Sequence, residues 1–234
     1  VKYSLPLSNT VIEIGPGAGT LTKSILKLNV NKIILIEKDK SLIELLENLK
    51  EKNNSIEIYN KDALSLPIWK LGSGSREVIA NLPYNISTKI LINLLKNSSQ
   101  FSKLTMMFQK EVANRIIAKP GSKPYSRLSV ITQLKTKTKI LFDIPDTAFF
   151  PKPKVQSSLV QFIPYENKKH NFDFEKMEEL TRFVFSKKRK MLRTIFKKEG
   201  GSSFLNSINV NPNIRPENLT LEEFCKLEFA LKKH

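Results

Sequence analysis

Short apolar runs alternate with helical periodicity along the first two thirds of the chain. Val11-Ile12-Glu13-Ile14 reads as a short strand that runs into the loop Gly15-Pro16-Gly17-Ala18-Gly19-Thr20. Leu21, Ile25 and Leu28 then share one helical face. Lys32 to Ile36 predicts a second strand, ending in Glu37 with Asp39 close behind. Leu42, Leu45, Leu46 and Leu49 follow the i, i+3, i+4, i+7 spacing of an amphipathic helix. Ile56 to Tyr59 predicts a third strand, and Glu77 to Ala80 a fourth that stops at Asn81-Leu82-Pro83-Tyr84. Ile86, Ile90, Leu91, Leu94 and Leu95 mark the next helix, and Leu104 to Phe108 a fifth strand. Helix is expected over 109–119 and 128–134, then two late strands over 137–144 and 155–163. Between those strands lies Pro145 to Lys154, too rich in proline for regular structure. After about Pro164 the pattern is wholly helical, with Met177, Leu180, Val184, Met191 and Ile195 on one seam and a break near Ser186. The alternation predicts an α/β, Rossmann-like domain over 1–164 with a mostly parallel seven-stranded sheet, followed by a small all-helical domain over 165–234.

Chemistry-bearing residues fall where these strands end, and ligands of open α/β sheets bind outside the carboxyl ends of the strands. Gly15 and Gly17 let a ligand approach the backbone. Their spacing is G-x-G-x-G, not the G-x-G-x-x-G of dinucleotide binders. An acid at the end of the second strand, Glu37, is placed to accept hydrogen bonds from ribose hydroxyls, a device shared by S-adenosylmethionine and NAD proteins. Asp62, with Ala63 beside it, holds the matching place after the third strand, although its position alone favours an ordinary loop Asp. The fourth strand ends in four unlike groups. Asn81 offers an amide oxygen, the turn its carbonyls, Pro83 stiffness, and Tyr84 a flat face with a polar tip. Acceptors beside an aromatic plate suit a planar ligand with an exocyclic amino group, such as adenine. The pair Phe149-Phe150 reads either as a core plug or as a second stacking plate.

Composition narrows the partner. The chain has 234 residues and a formal net charge of +17. Clustered Lys and Arg gain affinity by releasing counterions from a polyanion, so nucleic acid is the expected partner, with composition bias as the bland alternative. From Thr181 through Lys198 no acid intervenes among Arg182, Lys187, Lys188, Arg189, Lys190, Arg193, Lys197 and Lys198. A solvated helix face normally mixes signs. No apolar stretch reaches the roughly 20 residues of a membrane span, and nothing at the start reads as a signal peptide. The single Cys225 excludes an internal disulfide, and the cytoplasm is the default compartment. The opening on Val1 directly before a strand suggests that an N-terminal segment is missing.

Four stretches occur in order: 13–17 (EIGPG), 81–87 (NLPYNIS), 108–113 (FQKEVA) and 149–155 (FFPKPKV). Together with 185–190 (FSKKRK) and 215–219 (RPENL) they resemble the KsgA (RsmA)-type ribosomal RNA adenine dimethyltransferases over nearly the whole chain. The Erm-type methylases share the Asn81 and Phe149 stretches but not typically those at Gln109 and Arg215. That family's N-terminal Gln-Asn-Phe motif, which helps close the cofactor site, has no counterpart here. The resemblance implies S-adenosylmethionine as donor, no metal, and two adjacent adenosines near the 3′ end of small-subunit ribosomal RNA as substrate, each dimethylated at N6. It implies Asn81, Leu82, Pro83, Tyr84 and Phe149 as the catalytic set, and Gly15, Gly17, Glu37, Asp62, Ala63 and Asn81 around the cofactor. Lys187, Lys188, Arg189, Lys190 and Arg193 are expected on RNA phosphates, with a monomer acting on a small-subunit precursor particle. An Erm-type enzyme, a non-catalytic assembly factor of the same fold, and an NAD oxidoreductase are the competing readings. The intact Asn81 turn and the loop spacing weigh against the last two.

Overall fold

The computed structural model describes residues 7–148, 155–166 and 170–232, which fall in two compact units. The first comprises Val1–Ala113 and Thr136–Glu166. Its strands are β1 (Thr10–Ile14), β2 (Lys32–Glu37), β3 (Ile56–Asn60), β4 (Arg76–Ala80), β5 (Lys103–Gln109), β6 (Thr136–Ile144) and β7 (Ser157–Pro164). They form one seven-stranded sheet in the order β3-β2-β1-β4-β5-β7-β6. Strands β1 to β5 are parallel to their neighbours, and β7 runs antiparallel to both β5 and β6. Helices α1 (Thr20–Leu26), α2 (Ile43–Lys50) and α3 (Tyr84–Lys96) connect the parallel strands, and α4 (Lys110–Ile117) follows β5.

Every residue of β1 is buried, as is β2 after its first. Both faces of the central strands are therefore covered, and they read as unbroken apolar runs rather than alternating ones. One packed cluster joins Val11, Ile33, Leu35, Ile56 and Ile79 of the sheet to Ile25 of α1 and Leu46 of α2. The strand order reverses between β1 and β4, since β2 lies on one side of that pair and β5 on the other. Such a switch point opens a crevice at the carboxyl ends of the two strands.

The second unit comprises Asn114–Lys135 and Asn167–His234. Its helices are α5 (Arg127–Lys135), α6 (Phe174–Ser186), α7 (Leu192–Ile195), α8 (Gly201–Ser207) and α9 (Leu221–Leu231). The sequence reading divided the chain once, at 164, and assigned the α5 segment to the first domain. In the structure α5 packs with α6 and α9. Arg127 of α5 is ion-paired with Glu178 of α6. Phe185 stacks on Phe224 with centroids 5.8 Å apart, and Tyr125 meets Phe185 edge-on at 6.0 Å. A capping box at Thr220 and Glu223 satisfies the first N–H groups of α9.

The break near Ser186 is present, where α6 ends. Met191 does not continue the seam, however. The chain turns after α6, leaving Met191 38% exposed while Leu192 is fully buried in its place.

Candidate active site

The register brings the strand ends together. Ile14 of β1 lies opposite Ala80 of β4 and Ile36 of β2, so Gly15, Asn81 and Glu37 leave the sheet at neighbouring points. Gly15 has φ +70°, and a Cβ on it would lie 2.9 Å from a methyl carbon of Leu82 and 3.8 Å from the Asn81 carbonyl oxygen. The left-handed backbone at Gly15 favours glycine, and the loop after β1 lies close to the turn after β4. Gly17 has φ +57°, and a Cβ there would meet nothing within 4 Å. The backbone at Gly17 therefore borders open space.

That space is a cavity of about 680 Å³. Its lining includes Gly15, Gly17, Glu37, Asp62 and Ala63, with Leu82 and Pro83 from the fourth strand's turn. Ile14, Ile86 and Ile90 supply apolar wall. The volume suits a small-molecule ligand.

The acids are held in different ways. Glu37 is 8% exposed; one carboxylate oxygen accepts the Gly17 N–H at 3.1 Å and the other the Asp39 N–H at 2.9 Å. Each oxygen keeps a further lone pair, enough for two donors such as a pair of adjacent hydroxyls. Asp62 accepts the Leu64 N–H at 2.9 Å, while its other oxygen meets the Lys38 ammonium at 2.9 Å. The Leu64 N–H and then Lys38 lower its pKa. Glu13 of β1 is 1% exposed and accepts the Thr22 hydroxyl at 2.7 Å. Burial pushes its carboxyl up to about 7, partly opposed by that hydrogen bond.

The turn after β4 presents its acceptors unequally. The Pro83 carbonyl receives the N–H groups of Ile86 and Ser87, at 3.2 and 3.3 Å, as α3 begins. Among the described residues no backbone donor reaches the Leu82 carbonyl. Asn81 is exposed and Tyr84 half-buried. The Tyr84 hydroxyl lies 2.6 Å from the Ser157 hydroxyl. Phe149 lies outside the described residues.

A family model described as ribosomal RNA adenine dimethylase matches residues 1–233. The chain belongs to that family. It is 39% identical over 231 residues to the ribosomal RNA small subunit methyltransferase A of Ehrlichia ruminantium (strain Gardel), a match covering 97% of this chain and 88% of that protein. It is 44% identical over 220 residues to the protein of the same name from a Wolbachia of Drosophila simulans (strain wRi), covering 93% of this chain and 81% of the relative. A crystal structure of a dimethyladenosine transferase from Plasmodium falciparum superposes with a TM-score of 0.81 at 30% identity, covering 99% of this chain and 93% of that one. The fold also matches the 23S ribosomal RNA methyltransferase ErmE, with a TM-score of 0.70 at 20% identity over 98% of this chain and 94% of that one.

In this dimethylase fold Gly15, Gly17, Glu37, Asp62, Ala63, Leu82 and Pro83 line one crevice, whereas Asn81 and Tyr84 are not among its lining residues. Reasoning from sequence missed Glu13, Lys38 and Ser157. An acid inside an apolar strand was a signal for Glu13. Lys38 and Ser157 act across 24 and 73 residues of chain, and nothing local marks them.

The basic run lies in the second unit, and its members are not equally free. Lys187 sits 3.8 Å over the ring of Phe183. Lys188 donates to the Lys123 carbonyl at 3.1 Å, and Arg193 to the Asn213 side chain at 2.6 Å. Arg189 and Lys190 are exposed.

Two variants test this geometry. Gly15→Ala and Gly17→Ala share the left-handed strain, roughly 1–2 kcal/mol, but only the first also presses on Leu82. In chemical denaturation we expect Gly15→Ala to be clearly the less stable, and equal stabilities would contradict the close approach. Glu13 is the second test. Its folded pKa of about 7 lies above the free value of 4.5, so between those pH values the folded protein holds a proton that the unfolded chain has released. Stability should fall as pH rises through that window and stay reduced above it, by on the order of 3 kcal/mol at 1.36 kcal/mol per pKa unit. Glu13→Gln should remove that slope, and an unchanged pH profile would acquit Glu13.

Proposed function

We propose that this protein transfers methyl groups from S-adenosylmethionine to N6 of two adjacent adenosines near the 3′ end of small-subunit (16S) ribosomal RNA, giving N6,N6-dimethyladenosine. The observation that carries the reading is the shared crevice, where the Asn81 turn adjoins a cavity bounded by Gly17, Glu37 and Asp62. The names of relatives up to 44% identical support the small subunit over the large one.

The cavity fits the donor. Glu37 has acceptor capacity for the ribose hydroxyls, Asp62 and Ala63 border the place for the adenine edge, and the bare Gly17 backbone leaves room for the methionine portion. When bound, S-adenosylmethionine supplies an electrophilic methyl group.

The protein's own residues then act on the nucleotide. The lone pair of an adenine amino group is delocalised into the ring, so the nitrogen is a weak nucleophile. The Asn81 amide oxygen and the Leu82 carbonyl accept its hydrogens and favour a pyramidal nitrogen with an available lone pair. Pro83 is the poorer candidate for the second acceptor, because its carbonyl already caps α3. Asn81 carries no charge, so the same pocket accepts a nitrogen bearing one methyl. The base must leave its stack to arrive. Tyr84 offers one flat face for it and Phe149 the expected other, each stack being worth roughly 1–3 kcal/mol.

The helical unit orients the RNA, with Lys187, Lys188, Arg189, Lys190 and Arg193 on phosphates. A small-subunit precursor particle is the proposed partner, the enzyme acting as a cytoplasmic monomer without a metal. Among the described residues no helix is long and apolar enough to cross a membrane.

Mapping N6,N6-dimethyladenosine in ribosomal RNA from cells with and without the protein tests the reading directly. At the site, Asn81→Ala should lower single-turnover methyl transfer about 10²–10³-fold while RNA affinity stays within a few-fold. A wild-type rate would remove Asn81 from the chemistry. In the helical unit, reversing Arg189 and Lys190 to Glu should weaken RNA binding and flatten its log–log salt dependence by roughly 0.7–0.9 per lost phosphate contact. Unchanged affinity and salt slope would make the run a solvated face.

A further inference from the structure

Tyr84 is the first residue of α3, which carries the chain from β4 to β5. Its hydroxyl nevertheless reaches β7 and lies 2.6 Å from the Ser157 hydroxyl, across 73 residues of sequence. Ser157 is fully buried and is the first residue of β7. It pairs with Gln109, the last residue of β5, on one side and with Ile144, the last residue of β6, on the other. The hydroxyl that meets Tyr84 is therefore held at the carboxyl edge of the parallel strands.

The anchor is braced from its other face as well. Ser158 points to the opposite side of the sheet from Ser157, as successive strand residues must. Its hydroxyl donates to Asp143 of β6 at 2.6 Å, and Asp143 is ion-paired at 2.7 Å with Lys110. Lys110 also donates to the Gln156 side chain at 3.1 Å, and its own N–H to the Gln156 carbonyl at 2.9 Å. Residues 156–158 are thus fixed by side-chain bonds to β6 and α4 as well as by two strand ladders.

We propose that Ser157 is a positioning residue for the reaction. It pins the free end of the Tyr84 side chain, so that the ring stands ready as the stacking plate for the target base. This deepens the functional reading above and rests on it. Tyr84 is half-buried, and its backbone is set by the start of α3. Without a bond at the phenol tip, the ring would have to be ordered each time a base arrives. With that bond the ordering is complete before the RNA binds, and preorganisation of this kind lowers the cost of capture.

Three variants test the proposal: Ser157→Ala, Tyr84→Phe, which keeps the ring and removes only its hydroxyl, and the double variant. Methyl transfer into small-subunit particles is followed in single turnover, alongside melting temperature and S-adenosylmethionine affinity. Each single variant should transfer roughly three- to tenfold more slowly, the size expected from freeing one side chain. Particle affinity and S-adenosylmethionine affinity should hold, and the double variant should be no slower than the worse single one. With 2-aminopurine at the target position, each variant should leave the probe brighter than wild type does, because a loosened ring quenches it less. Multiplying effects in the double variant, or wild-type rates and emission in Tyr84→Phe, would overturn the proposal whatever Ser157→Ala does to folding. Failure of the wild-type protein to methylate the particle would instead overturn the functional reading.

Discussion

The parallel pairing of β1 with β4 sets Ile14 opposite Ala80, and both strands leave the sheet at the next residue. The loop that begins at Gly15 and the turn that begins at Asn81 consequently start side by side. A methyl group at Gly15 would press on Leu82. The loop after β1 and the turn after β4 therefore share one packing contact. The sheet's register thus sets the Gly15 loop and the Asn81 turn beside one another without any dedicated spacer.

Charge is sorted as unevenly as shape. In a chain with a formal charge of +17, the cavity lining balances its signs, with Glu37, Asp39 and Asp62 beside Lys38, Lys40 and Lys61. The basic run with no internal acid belongs to the other unit. A pocket of mixed sign and a run of one sign thus fall on different parts of the sequence. The carboxylates also differ among themselves. Asp62 accepts a backbone N–H that favours its ionised form, whereas Glu13 has one hydroxyl partner in a buried strand and burial pushes its carboxyl up to about 7.

What was legible in the sequence was local. The five parallel strands could be read because double-sided burial leaves unbroken apolar runs, and their end residues followed from that. The break after Ser186 was legible too, but the residue that resumes the seam was not, because a turn of unknown length shifts the phase from Met191 to Leu192. Helix α5 gave no hint of its unit. Ser129, Val130, Ile131, Thr132 and Leu134 are all buried, so it shows no one-sided stripe to match to a partner. The turn's second acceptor was ambiguous between Leu82 and Pro83 until the start of α3 was seen to occupy one of them. Contacts such as Lys38 with Asp62 and Tyr84 with Ser157 join distant parts of the chain, and residue spacing carries no trace of them.

The place of β7 between β5 and β6 has a consequence for how the molecule comes into being. Among the described residues β7 is the only ladder partner of β6, although β6 is made first. As the chain leaves the ribosome, β6 must wait for residues 157–164 before it can join the sheet, and α5 must wait still longer for α6 and α9. Each unit is thus completed by sequence that lies beyond an early part of the other. Such interleaving raises contact order, which slows folding, and it leaves the buried strand β5 without its second neighbour until residues 157–164 have emerged.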